Sequence, residues 1–306
     1  MFNTLADDCL GAVASPWRRI PAPRIIAAGI MSQTTAPAAA SRSLSETFAA
    51  LRRSGRIALM PFIPAGYPDL ATTAAALPAL AAAGGDAIEL GFPFSDPIAD
   101  GPTIQESYTV ALSKKMKVAD VFETVASVRS KVAVPIVSMV SYSIVFRYGV
   151  DRFVSAAKQA GFDGLILPDL PPPEAQSICD RVRSGGLDTI LLVAPTTTPQ
   201  RRAEIARLSS GFIYYLSVSG ITGERAKLQA DLAANVRQLK SLTDTPVCVG
   251  FGISHPSHVA ELQGVADGAI VGSAYVKRMK PKLGAGSAAL ANEVGALTRE
   301  LLASVR

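Results

Sequence analysis

Cysteine is scarce in this chain of 306 residues, which has only Cys9, Cys179 and Cys248. The three lie far apart, and no two have the C-x-x-C spacing. Disulfide-stabilised scaffolds and structural zinc sites rely on more, or more closely spaced, cysteines, so the sequence indicates neither. A chain without disulfides suits a reducing compartment, and we expect a cytoplasmic protein.

Aromatic residues and blocks of like charge are also few. Aromatics make up 6% of the chain, and the formal charge of +5 is spread through segments of mixed sign without a long run of Lys and Arg. Nucleic-acid binding commonly uses basic patches and stacking aromatics, so it has little support here. The small basic excess suits a phosphorylated small molecule equally well.

Long apolar runs are missing. Uncharged stretches such as residues 132–146, which are interrupted by proline, fall short of the ~18 apolar residues that a membrane helix needs. We therefore expect no membrane partner.

Histidine is limited to His255 and His258, three residues apart in a Ser/Pro-rich helix start. Metal binding and helix capping are the two interpretations, and no Cys, Asp or Glu nearby completes a ligand set, so no metal is predicted. The predicted strand interiors also lack lysine, the residue that forms an imine with a carbonyl substrate. Any carbon–carbon bond cleavage would then depend on acid/base groups.

Residues 1–43 differ from the rest of the chain. Pro, Ala, Ser and Thr are scattered there without period, and a short apolar run, interrupted by glycine, precedes Met31, an alternative start. The early acids Asp7 and Asp8 argue against an organellar transit peptide, and the short run argues against a secretory signal. We expect a disordered or processed extension that is dispensable for folding.

Residues 44–306 predict a single (β/α)8 TIM barrel with a short N-terminal helix. That helix is LSETFAALRRSG, with Ser43 or Ser45 as its cap. Eight uniformly apolar segments then alternate with helical ones, as in parallel strands covered on both faces. The segments are IALMPFIP, DAIELGF, VPIVSMV, FDGLILPD, DTILLVAP, GFIYYLSV, PVCVGFG and GAIVGS. A doubly wound open sheet is the alternative, but its G-x-G-x-x-G turn does not follow the first strand.

The stretch DAIELGFPFSDPIADGPTIQ, residues 86–105, predicts a buried strand that ends at Glu89 and opens into a loop carrying Asp96 and Asp100. A buried carboxylate needs a partner or a purpose. Two interpretations stay open. Either Glu89 forms a salt bridge at the barrel end while the loop acids bond their own turn, or the acids face one another for catalysis.

Other strand ends also carry candidate site residues. Phe62, Asp169 and Tyr214 lie at the carboxyl ends of strands, where barrel enzymes place their chemistry, although core packing or a turn would explain each of them. Glycine-rich turns that run into helices follow the last two strands, GFGIS at 250–254 and GSA at 272–274. Such turns present backbone N–H groups to phosphate, so we predict an anion site there.

The segment ELGFPFSDPIADGPTIQ resembles the signature of the alpha subunit of tryptophan synthase, and the resemblance extends in register over roughly residues 44–280. It implies a TIM-barrel lyase that cleaves indole-3-glycerol phosphate to indole and glyceraldehyde 3-phosphate in tryptophan biosynthesis. Glu89 would be the acid/base and Asp100 would contact the indole nitrogen. Phe62 and Tyr214 would line the pocket. The remaining implied contacts are Thr222 with Asp100, and the phosphate with the backbones of Gly223, Gly252, Gly272 and Ser273.

The resemblance also implies a partner. Members of this family work as an α2β2 heterotetramer with a beta subunit that carries pyridoxal phosphate, so we expect no cofactor on this chain. Barrel-end loops around residues 93–97 would face that subunit. The triplet Tyr142-Ser143-Ile144 departs from the family's usual Tyr-Asn-Pro, which affects contacts at the pocket rim or with the partner. A stand-alone lyase and a non-catalytic activator of a beta subunit are the alternatives.

Overall fold

The computed structural model describes residues 42–96, 100–217, 225–250 and 252–303, with residues 225–230 described by their backbone alone. In these ranges the strands are β1 Ala58–Pro64, β2 Ile88–Gly91, β3 Ile136–Met139, β4 Gly164–Ile166, β5 Asp188–Ile190, β6 Leu192–Val193, β7 Ile213–Leu216, β8 Val247–Gly250 and β9 Gly268–Val271. The helices are α1 Leu44–Arg53, α2 Leu70–Ala82, α3 Pro102–Ser113, α4 Val118–Val128, α5 Tyr142–Tyr148, α6 Val150–Ala160, α7 Pro172–Ser184, α8 Pro199–Leu208, α9 Arg225–Lys240, α10 Pro256–Glu261, α11 Ser273–Met279 and α12 Ser287–Leu302.

All strand pairs are parallel, in the order β5-β4-β3-β2-β1-β9-β8-β7-β6. The fifth expected strand is divided at Leu191, so that β5 pairs with β4 and β6 pairs with β7. The Leu191 carbonyl accepts the N–H of Tyr214 at 3.0 Å. The two ends of the sheet are therefore halves of one interrupted strand, and the prediction of an eight-stranded TIM barrel is confirmed.

The barrel interior alternates large side chains with glycine. Phe62 of β1 lies opposite Glu89 of β2, which lies opposite Val137 of β3. Opposed residues of parallel strands point to the same face, so this row faces inward. In the same register, Gly91 and Gly250 occupy inward-facing positions. Their lack of a side chain leaves space for aromatic rings at the carboxyl end of the barrel.

The amino-terminal end of the barrel is built for stability. Three aspartates lie one or two residues before a strand. Each accepts a backbone N–H from the preceding strand and pairs with a basic side chain. Asp86 accepts from Leu59, Asp163 from Ile136 and Asp267 from Val247 at 2.8–2.9 Å, with Arg56, Arg129 and Lys240 as their respective ion-pair partners. These contacts occupy that end, which leaves the carboxyl end for chemistry.

Helix α1 covers the amino-terminal end. Ser43 and Glu46 form a reciprocal capping box, which confirms Ser43 as the cap. Leu44 and Phe48 are buried, and the ring of Phe48 packs 6.0 Å from that of Phe212 at the start of β7. A truncated chain should therefore keep Ser43, because losing a cap costs about 1 kcal/mol. The proposed extension otherwise lies outside the described residues.

Among the described residues, no helix is long and apolar enough to cross a membrane.

Candidate functional site

Glu89 is completely buried in the barrel. Neither of its carboxyl oxygens has a hydrogen-bond partner among the described residues, so the salt-bridge interpretation has no support there. Strand β2 continues to Gly91, two residues beyond the expected end, because Phe92 N–H still pairs with the Met139 carbonyl. Burial, and then the charge of Asp100, raise the pKa of Glu89 well above its usual range.

Asp100 lies just before α3, and its backbone carbonyl accepts the side-chain amide of Gln105 at 2.7 Å. Burial raises the pKa of Asp100 to about 6. Since this carboxyl is close enough to act on Glu89 electrostatically, the structure brings the two acids together. Burial is the first cause of the raised pKa of both acids, and the charge of Asp100 adds to the rise for Glu89, so the environment favours the protonated form of Glu89.

Phe62 and Tyr214 are both buried, and each packs into the space left by the missing side chain of a glycine. A Cβ added to Gly91 would lie 2.6 Å from the Phe62 ring, and one added to Gly250 would lie 2.3 Å from the Tyr214 hydroxyl. Burial, then the charges of Glu89 and Asp100, raise the pKa of Tyr214, so this phenol remains protonated.

Tyr108 is a site residue that sequence analysis missed. It lies on α3, is 3% exposed, and its hydroxyl would be 2.4 Å from a Cβ added to Gly91. Burial, followed by the charges of Asp100 and Glu89, raises its pKa well above the usual range. A helical position several residues beyond the acidic loop gives no sequence signal of this placement. Only the docking of α3 on the barrel brings the phenol to the site.

The glycine turns after β8 and β9 lie at the same end of the barrel. Ser273 is the first residue of α11, and within the described part of the chain no hydrogen bond uses the N–H groups of Gly272, Ser273 and Ala274. Gly252 has φ of +78°, a conformation that favours glycine. A Cβ on Gly272 would lie 3.1 Å from Phe62, which places this turn next to the aromatic pocket. Thr222 and Gly223 lie outside the described residues.

Asp169 has a different role from the site acids. Its two carboxyl oxygens accept hydrogen bonds from the Ser141 hydroxyl and the Tyr142 N–H, both at 2.6 Å, where α5 begins. It therefore fixes the turn after β3, in agreement with the turn interpretation. The ring of Tyr142 is buried, and its hydroxyl donates a hydrogen bond to the Glu174 carboxylate. Ser143, which departs from the family triplet, shares a hydrogen bond of 2.8 Å between its hydroxyl and that of Ser141.

The two histidines make local contacts at α10. The His255 ring accepts the N–H of Ser257 as the helix cap, and the His258 ring accepts the N–H of Ser254. The described residues contain no group of three or more His, Cys, Asp or Glu placed to hold a metal ion.

Comparison with known proteins gives one consistent family. A family model described as tryptophan synthase alpha chain matches residues 48–305. The tryptophan synthase alpha chain of Chloroflexus aggregans is 47% identical over 238 residues, 78% of this chain and 89% of the relative. That of Rhodopirellula baltica is 49% identical over 239 residues, covering 77% of this chain and 86% of the relative.

Solved structures agree with the sequence relatives. A chain of tryptophan synthase from M. tuberculosis superposes with a TM-score of 0.76 at 38% identity, covering 87% of this chain and 99% of the other. The tryptophan synthase A-subunit of Pyrococcus furiosus gives a TM-score of 0.73 at 38% identity, covering 81% and 98%. The chain belongs to the tryptophan synthase alpha chain family.

Proposed function

We propose that the protein is a carbon–carbon lyase that cleaves indole-3-glycerol phosphate to indole and glyceraldehyde 3-phosphate in tryptophan biosynthesis. The observation that carries this proposal is the completely buried Glu89 carboxyl, which has no hydrogen-bond partner within the described ranges and interacts electrostatically with Asp100 at the carboxyl end of a barrel. An unsatisfied buried carboxyl costs stability, and active sites are where such costs are commonly found.

We infer that Glu89 reacts in its protonated form and Asp100 in its charged form. Cleavage requires a proton on indole C3, which places positive charge on the ring nitrogen, and loss of the proton from the adjacent side-chain hydroxyl. Protonated Glu89 delivers the first proton, and the resulting carboxylate then accepts the second as the carbon–carbon bond breaks and the aldehyde forms. Charged Asp100 accepts a hydrogen bond from the indole N–H and stabilises the cation.

The pocket walls position the substrate. Phe62 and Tyr214 provide apolar ring surfaces for the indole, consistent with their place beside Gly91 and Gly250. The phosphate is bound by backbone N–H groups of Gly252, Gly272 and Ser273. Gly223 would complete this set, with Thr222 bonding Asp100, but both lie outside the described residues. Anchoring both ends of the substrate holds the reacting groups in the correct geometry. Binding energy thereby lowers much of the activation barrier.

The family works with a beta subunit and a phosphorylated substrate, and for this chain we infer an α2β2 complex. The proposed steps use only groups of this chain, and we expect pyridoxal phosphate on the beta subunit alone. Cys179 and Cys248 are buried free thiols, which supports a cytoplasmic location.

The test compares Glu89→Gln with Asp100→Asn in steady-state cleavage of indole-3-glycerol phosphate, with and without the beta subunit of the same organism. Glutamine keeps shape and hydrogen bonding but moves no proton, so the rate should fall by ~10²–10⁴-fold. Asparagine still accepts the indole N–H through its oxygen, so its loss should be smaller, a few kcal/mol or less in the barrier.

Glycerol phosphate binding is the control for this pair of variants. Its affinity should stay at the wild-type value in both, because the proposed phosphate contacts are backbone groups. Near-normal turnover in Glu89→Gln would contradict the proposed mechanism. A wild-type chain that releases no indole, with or without the beta subunit, would contradict the proposed function.

A further inference from the structure

A cavity of about 320 Å³ lies at the amino-terminal end of the barrel, opposite the glycine turns. Its walls are helix α1, the turn between α2 and β2, and the segment just before β3. The charged side chains of the lining are Arg42, Arg56 and Asp86, and most of the remaining side chains are small or aliphatic. None of these residues has a part in the proposed cleavage.

Thr47 places a hydroxyl in this lining where core packing would use an apolar side chain. It shares the buried face of α1 with Leu44, Phe48 and Leu51, and it is only 7% exposed. Its Oγ1 atom is buried and forms no hydrogen bond with any residue in the described ranges. A buried hydroxyl without a partner lowers the stability of a fold, so this position indicates a ligand that accepts a hydrogen bond from it.

Arg56 provides a second unused donor in the same lining. Its Nη2 atom pairs with the Asp86 carboxylate at 3.5 Å, whereas its Nε–H is buried and has no hydrogen-bond partner in the part of the chain that the structure describes. The Asp86 carboxylate also accepts the Leu59 N–H at 2.9 Å, which fixes the acid beneath the guanidinium. The cavity therefore has two donors without partners, one neutral and one cationic.

We propose that this cavity binds a small organic carboxylate, whose oxygens accept hydrogen bonds from the Thr47 hydroxyl and the Arg56 Nε–H. A carboxylate accepts several hydrogen bonds, and those from a guanidinium are among the strongest that it makes. The aliphatic side chains of Ala50, Leu51 and Val134 suit an apolar body on the ligand. The inference does not depend on the proposed function.

The charge of the lining favours a monoanion. Two arginines and one aspartate give a net formal charge of +1. Inorganic phosphate carries up to two negative charges near neutral pH, and the Asp86 carboxylate repels the second. Phosphate also has no apolar surface to place against the aliphatic walls, so we expect the cavity to select a carboxylate.

The experiment is a calorimetric titration of the full chain with benzoate, compared with benzyl alcohol and inorganic phosphate. We expect one benzoate per chain with saturable binding, and much weaker binding of the other two compounds. Thr47→Val keeps the shape of the side chain and removes the hydroxyl, so the affinity for benzoate should fall about tenfold. Arg56→Gln removes the charge and the Nε donor, and the affinity should fall at least as much.

Two matched variants are the controls. Ser209 at the end of α8 is also buried, and its hydroxyl also lacks a hydrogen-bond partner among the residues described, but it does not line the cavity. Arg53→Gln removes the same charge from the end of α1 without changing the lining. Ser209→Ala and Arg53→Gln should therefore bind benzoate with the wild-type affinity.

Thermal unfolding separates a ligand site from a structural role of Thr47. Without benzoate, Thr47→Val should unfold at a temperature no lower than the wild type, because the lost hydroxyl has no partner in the described chain. Benzoate should raise the unfolding temperature of the wild type more than that of the variant. A lower unfolding temperature of Thr47→Val without benzoate would assign the hydroxyl to the fold and overturn the proposal.

Three binding results would also overturn it. The first is the absence of saturable benzoate binding by the wild-type chain. The second is equal binding of benzyl alcohol or inorganic phosphate, which would remove the selection for a carboxylate. The third is an unchanged affinity for benzoate in Thr47→Val or Arg56→Gln, which would place the bound molecule elsewhere on the protein.

Discussion

At the scale of single residues, the buried acids of the site lower the stability of the fold. Glu89 is completely buried, and neither of its oxygens is hydrogen-bonded to any residue that the structure describes. The pKa values of Glu89 and Asp100 both lie above their ordinary values of 4.5 and 3.8. For such acids the stabilising contribution is fully present below the unfolded pKa and is lost as pH rises through the folded pKa. Stability should thus decline from about pH 4 upward, through about 6 for Asp100 and through the raised pKa of Glu89.

Replacing Glu89 by leucine should therefore stabilise the fold while abolishing cleavage. An unsatisfied buried polar group costs about 1–3 kcal/mol, so Glu89→Leu should raise the free energy of unfolding by a similar amount, with a larger gain at pH 8 than at pH 5. Urea denaturation at both pH values measures this. Glu123→Leu on the exposed face of α4 is the control and should change stability by less than about 0.5 kcal/mol at either pH. A destabilised Glu89→Leu would mean that the carboxyl has a structural role.

At the scale of elements, glycine decides where aromatic side chains can enter the barrel. Strands β2 and β8 each end in an inward glycine, Gly91 and Gly250, against which the hydroxyls of Tyr108 and Tyr214 pack. An alanine Cβ would be 2.3–2.4 Å from those oxygens, closer than any real contact. The strand ends are therefore shaped by helix α3 and strand β7, elements that lie elsewhere in the sequence.

Gly91→Ala should lower turnover by at least about tenfold, because the added methyl group displaces both Tyr108 and Phe62. Secondary structure should change little, because the backbone at this position has no φ that requires glycine. Gly295→Ala is the control. Its Cβ meets only ordinary contacts of 3.6 Å or more inside α12, so it should keep full activity and gain about 0.5–1 kcal/mol of stability. Circular dichroism and steady-state kinetics measure both, and unchanged kcat in Gly91→Ala would contradict this account of the pocket.

At the scale of the molecule, the two ends of the barrel have different tasks. The amino-terminal end is closed by α1 and by aspartate contacts between strands, whereas the carboxyl end carries the acids and the glycine turns. Helix α5 follows β3 at the carboxyl end and exposes Phe146 to 65%. A large exposed aromatic at the functional end suits contact with a partner.

Association with the beta subunit should depend on this end. Phe146→Ser should weaken the complex by about 1–3 kcal/mol, as for a contact aromatic, whereas Leu242→Ser should not. Leu242 is 47% exposed but lies between α9 and β8, at the opposite end of the barrel. Sedimentation and titration calorimetry with the beta subunit of the same organism measure the difference. Absence of any complex with the wild-type chain would favour a stand-alone lyase, and equal weakening by both variants would place the interface elsewhere.

The sequence by itself determined the alternation of strands and helices, the barrel and the pair of acids. Those features are local: uniformly apolar strands, capping residues such as Ser43, and a loop signature that holds Glu89 and Asp100 within a dozen residues. Glycine turns before helices are equally local, so their place at the carboxyl end followed once a barrel was assumed.

Only the tertiary structure decided what each side chain meets. The division of the fifth strand at Leu191, the extension of β2 to Gly91 and the bonding of Asp169 to α5 depend on which neighbouring backbone offers a partner. The entry of Tyr108 depends on how α3 docks. Hydrogen-bond satisfaction and burial are set by contacts between residues distant in the chain, and no periodicity encodes them. For that reason the sequence placed Glu89 in the barrel, while only the fold showed that its carboxyl has no hydrogen-bond partner in the described part of the chain.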